Sequence, residues 1–130
     1  MKVELILSIT VISLIFYSCV EVKDTHSEAD NNIVFINSQS NIDSGYPFSE
    51  ATIVNGIIYL SGEIGTLPDG NLISGGIIQE TRQTLTNIKS KLEKIGGSMD
   101  DIFKCTCMLS DIKDWPLMSQ EYKKFFNPDK

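Results

Sequence analysis

The stretch ATIVNGIIYLSGE, residues 51–63, decides the fold. Two short runs rich in apolar and β-branched residues, 51–54 and 57–60, flank Asn55-Gly56. A two-residue type I′ turn needs positive φ at both central positions, which Asn and Gly tolerate, so the spacing predicts a β-hairpin. Upstream, residues 33–36 (IVFI) form a short apolar run that reads as an edge or first strand, followed by a turn-rich stretch punctuated by Gly45 and Pro47. Downstream, a second turn falls at Pro68-Asp69-Gly70. Residues 78–95 then carry Ile78, Thr81, Leu85, Ile88, Leu92 and Ile95 at alternating steps of three and four, the period of an amphipathic helix, and Gly96-Gly97 ends it. Residues 102–109 (IFKCTCML) read as a strand with Phe103, Cys105, Cys107 and Leu109 on one face and Lys104 opposite. A second helix is expected over 114–126, with Asp114 as N-cap, Pro116 in the first turn, and Trp115, Met118, Tyr122 and Phe125 buried. The order β-β-β-α-β-α describes an α+β sandwich with two helices packed on one face of a sheet.

Composition bounds the function. The chain has 130 residues, enough for one domain, and 11 basic against 17 acidic side chains leave a net charge of −6. Nucleic-acid backbones are bound by Lys and Arg that neutralise phosphates, so this charge argues against a nucleic-acid partner. One histidine, His26, and three cysteines leave little material for a zinc site, and no metal is expected.

The N-terminus reads as separate from the domain. Residues 5–17 (LILSITVISLIFY) are uncharged and almost wholly apolar. Thirteen residues suit the hydrophobic core of an export signal better than a membrane span, which needs about 20. Ser18-Cys19 follows, a pattern that resembles a bacterial lipoprotein signal in which the cysteine is lipidated. Residues 1–18 are therefore read as signal, Cys19 as the lipidation site and 19–32, polar and aperiodic, as a tether to a domain over 33–130. This makes the protein an exported, membrane-anchored lipoprotein. The alternatives are an uncleaved anchor with an incidental Cys19, or a cytoplasmic chain.

Side chains alone supply no convincing catalytic set. A Walker loop, a G-x-S-x-G elbow and a dinucleotide G-x-G-x-x-G are all missing from the sequence, and the one histidine lies in the tether. Cys105 and Cys107 are poorly placed for a mutual disulfide, and the burial preference of cysteine reads them as small core residues. Glu63, after Ser61-Gly62 at a strand end, is a solvated side chain or, if burial raises its pKa, a carboxylate able to activate water.

Several stretches nonetheless fall in register with the Rid (reactive intermediate deaminase, YjgF) family. Residues 45–51 (GYPFSEA) resemble the family's Gly-Pro-Tyr-Ser-Gln-Ala with one residue inserted, and Ser61-Gly62-Glu63-Ile64-Gly65 resembles its Ser-Gly-Gln-Ile-Pro. Residues 79–88 (QETRQTLTNI) are similar to the helix pattern Q-T-x-Q-x-L-x-N-I. Asp101-Ile102, Lys104, Thr106, Leu109, Asp111, Asp114-Trp115, Tyr122 and Phe125-Phe126 follow the family's next strand and helix. The match runs from about residue 33 to 126.

The resemblance implies a chorismate-mutase-like fold, a homotrimer with pockets at subunit interfaces, and cofactor-free hydrolysis of 2-imino acids to 2-oxo acids and ammonia. It implies that Phe48, Ser61, Gly62 and Ser119 bind a small 2-imino or 2-oxo acid. Phe48 replaces a tyrosine and lacks its hydroxyl, Ser119 aligns with an asparagine, and Glu50 and Glu63 replace glutamines, adding negative charge near a pocket for an anion. The family's carboxylate-clamping arginine and water-positioning glutamate belong to a segment after the Phe-Phe pair. The sequence ends at Lys130 before it, so the last two family strands are expected to be absent and no catalytic residue is assigned. Arg82 lies on the helix and reads as solvated. The expected activity is therefore Rid-type imine deamination. The alternatives are a non-catalytic Rid-like module that binds a small molecule or protein, or an inactive fragment. The RNA-cleaving role attached to this family by name fits poorly with a charge of −6.

Overall fold

A computed structural model describes residues 32–130. The signal and lipidation readings, at residues 1–18 and Cys19, lie outside the described residues, as does nearly all of the tether. Three antiparallel strands, β1 (Ile33–Ile36), β2 (Ala51–Val54) and β3 (Ile57–Leu60), form a sheet in the order β1-β2-β3. The hairpin is as its sequence requires: Val54 faces Ile57, and Asn55 and Gly56 take φ of 51° and 80°.

The turn-rich connection between β1 and β2 contains a five-residue helix, α1 (Gln39–Asp43), capped by the Ser38 hydroxyl, which accepts from the Asn41 N–H at 3.2 Å. Such a helix has too few turns for an apolar period, so the cap is its main sequence signal.

The long helix, α2 (Ile77–Lys94), buries Thr81, Leu85 and Leu92. Gly96, at φ 84°, ends it: its N–H donates to Glu93 O at 3.2 Å, and the Gly97 N–H to Leu92 O at 2.8 Å. These two bonds satisfy carbonyls that a helix end leaves open. The expected second helix is three pieces: a 3-10 turn (Ile112–Asp114), the helix α3 (Trp115–Tyr122) and another 3-10 turn (Lys123–Phe125). Asp111, not Asp114, does the capping, its carboxylate accepting from the Lys113 N–H at 2.9 Å. Trp115 is exposed and Met118 is buried.

α2 packs against α3. A buried carboxylate ties them: Glu121, 3% exposed, accepts from Arg82 Nε at 2.7 Å and from Lys124 Nζ at 2.6 Å. Arg82 is thus a tether between helices, and its side chain stays about half exposed, as the sequence reading expected.

The expected fourth strand is not a strand. Residues 102–109 carry no ladder pairing among the described residues, because a strand exists only through a neighbour and none lies alongside. Its side chains stay largely in solvent, with Phe103 77% and Met108 89% exposed. Cys105 and Cys107, expected in the core, are exposed for the same reason. Among the described residues the buried apolar set is small: Ala51, Leu85, Leu92 and Met118. Among the described residues no helix is long and apolar enough to cross a membrane.

Candidate functional site

A cleft of about 1130 Å³ opens between β3 and residues 101–109. It is lined by the apolar face of α2, with Leu85, Ile88 and Leu92, and by Met118 and Tyr122. β3 pairs with β2 on one side only, so its other edge presents unpaired backbone groups to this space.

Ser61, Gly62 and Glu63 border the cleft where β3 ends. The Ser61 N–H donates to Glu50 O at 3.0 Å and its hydroxyl donates to Ser49 O, which locks the end of β3 to the start of β2. The next turn is held by α2: Asn87 Nδ2 donates to Ile64 O at 3.1 Å and to Thr66 O at 2.9 Å. Gly65 lies so close to α2 that a Cβ there would stand 3.0 Å from Glu80 O.

Glu63 is neither solvated nor free. Its side chain is 9% exposed and is paired with Lys91 of α2, which also reaches Glu50 Oε1 at 3.5 Å. Glu50 in turn accepts from the Ser38 N–H at 2.6 Å. Burial pushes the Glu50 carboxyl up, but the Ser38 hydrogen bonds and the Lys91 charge together outweigh it and hold it below its ordinary value. One lysine between two carboxylates leaves the strand end with a net negative charge.

The remaining expected ligands are dispersed. Ser119 borders a second, smaller cavity together with Cys105 and Cys107. Phe48 stacks on Tyr46, centroids 5.4 Å apart, is half exposed and borders neither cavity. Two lysines gain a role that the sequence reading did not give them. Lys91 joins the strand ends, and its signal is its place beside Ile88 and Leu92 on the flank of the apolar stripe. Lys104 is the one basic side chain on the cleft among the described residues. No group of three or more His, Cys, Asp or Glu that could hold a metal occurs among the described residues.

The chain matches the family model described as Endoribonuclease L-PSP over residues 38–130. It is 38% identical over 81 residues to proteins named 2-iminobutanoate/2-iminopropanoate deaminase from Capra hircus and Homo sapiens, an alignment that covers 62% of this chain and 59% of each relative. The chain thus spans about three fifths of the length of these relatives. Among solved structures it is similar to the yeast protein YEO7, with a TM-score of 0.68 and 32% identity over 76% of this chain and 79% of the other. YyfA of Yersinia pestis, a protein of the Rid family, gives a TM-score of 0.67 and 32% identity over 75% and 78%.

Proposed function

Because this chain belongs to the endoribonuclease L-PSP family, which includes the Rid proteins, we propose that it is a Rid-type deaminase hydrolysing 2-imino acids to 2-oxo acids and ammonia. What carries the reading is the 38% identity to the mammalian iminobutanoate and iminopropanoate deaminases. In the reaction water adds across the C=N bond to give a carbinolamine. The C–N bond then breaks as the C=O bond forms, and ammonia leaves with the protons, without any change in redox state.

In this proposal the cleft beside β3 takes the substrate. Lys104 holds the substrate carboxylate by a charge-assisted hydrogen bond. Ser61 and Gly62 form the strand-end wall, and no atom lies within 4 Å of a Cβ built at Gly62, so a small acid can come against its backbone. Ser119 and Phe48 would belong to the binding set only through an assembly, which is the homotrimer proposed with the activity. Export as a lipoprotein anchored at Cys19 is part of the same proposal and rests on residues 5–19 alone. The word endoribonuclease in the family's description finds little support here, given the net charge of −6 and a cleft with one basic side chain among the described residues.

The net negative charge left by Glu50, Lys91 and Glu63 favours a second reading, a non-catalytic binding module, because it opposes an anionic substrate at the strand end. One assay separates the two. An amino-acid dehydratase generates 2-iminobutanoate in place, and ammonia and 2-oxobutanoate are followed with and without the whole chain. Release above the spontaneous rate is expected. Lys104→Ala should raise KM at least about tenfold with little change in kcat, the mark of binding shared by ground and transition states. A chain that melts cooperatively yet leaves the spontaneous rate unchanged overturns the deaminase and leaves the binding module.

A further inference from the structure

Cys105 and Cys107 are free thiols that the deaminase reading does not use. Both border the smaller cavity, of about 240 Å³, whereas Thr106 between them does not. Both cysteines thus reach the α3 side of the segment, while they also border the larger cleft together with Thr106. Trp115, Met118, Ser119 and Tyr122 form the rest of the wall, so a buried thioether accompanies the two thiols and no carboxylate or imidazole borders the space.

Sulfur ligands without hard oxygen anions select soft cations. Zinc in a structural site takes four ligands, twice the number of thiols here. Cu(I) is satisfied by two thiolates.

We propose that Cys105 and Cys107 together form a binding site for Cu(I). On binding, two S–H bonds break and two S–Cu bonds form. Both protons pass to solvent and no electron is transferred. The cavity between the segment and α3 shields the ion on one side, and Trp115, the single tryptophan of the chain, stands beside it as a reporter.

The test uses the whole chain with Cys19→Ser, so that the third thiol does not compete. The reduced protein is titrated without oxygen with Cu(I) held against a chromogenic Cu(I) chelator. One Cu(I) per chain is expected, with Trp115 fluorescence quenched in step, and an equal concentration of Zn(II) should not displace it. Cys105→Ser and Cys107→Ser should each weaken binding at least tenfold while keeping a cooperative melt. Reversible capping of both thiols with a small methanethiosulfonate gives the same answer without mutation: uptake is lost on capping and restored by dithiothreitol. Undiminished uptake in either serine variant or in the capped chain overturns the site. So do unchanged Trp115 emission and a stoichiometry of one Cu(I) per two chains.

Discussion

Glu121 carries the clearest electrostatic signature at the scale of single residues. Hydrogen bonds from Arg82 and then Lys124 outweigh its burial and pull its carboxyl down to about 2, against an ordinary value of 4.5. A carboxyl depressed on folding contributes stability that is fully present above its unfolded pKa and disappears as pH falls through the folded one. The window is therefore about pH 4.5 down to 2. Both basic partners are about half exposed or more, so solvent screens part of the effect. Glu121→Gln should lower the melting temperature at neutral pH, and the gap from the parent chain should close between pH 4.5 and 2. Two parallel curves across that range would show that the pairing does not act through the charge. The sequence held half of this pattern: Glu121 and Lys124 are three residues apart, at the end of α3 and in the 3-10 turn that follows it. Arg82 is 39 residues away from Glu121, and no local pattern pairs them.

Among the elements, the turn after β3 is where backbone meets backbone. Gly65 is buried against α2, and a Cβ would stand 3.0 Å from Glu80 O and 3.1 Å from Glu80 Cα, atoms of a helix that cannot step aside. Gly65→Ala is expected to destabilise by about 1–3 kcal/mol, the usual range for overpacking. Gly62→Ala, with open space around its Cβ, should change stability by less than about 0.5 kcal/mol. Urea unfolding of both variants checks the contrast, and equal midpoints would mean that the turn does not lie against α2. The hairpin, α2 and its Gly96 stop were legible because each follows from residues a few positions apart. The α1 helix and the broken course of 112–125 were not, since caps such as Ser38 and Asp111 leave only short, common motifs.

For the whole molecule, burial is the decisive quantity. Among the described residues four apolar side chains are buried, while Phe35, Tyr59, Phe103 and Met108 are each more than half exposed. So thin a core among the described residues is marginal for a domain, and association with further chains would cover such surface. Under the proposed homotrimer, sedimentation equilibrium should give three chains per particle, and the melting temperature should rise with protein concentration. A monomer with a concentration-independent, cooperative melt would overturn the trimer. Local chemistry by itself determined the three strands of 33–60, the long amphipathic helix and its glycine stop, because period, turn residues and caps act over less than about two helical turns. The strand-end motif Ser61-Gly62 was legible too, and it does border the cleft. Only the tertiary structure decided that Glu63 and Glu50 share Lys91, that Arg82 holds Glu121, and that residues 102–109 face an open cleft rather than a neighbouring strand. Ion pairs between elements and strand pairing depend on which distant segments meet, and a strand-like pattern becomes a strand only when a second strand supplies its hydrogen bonds.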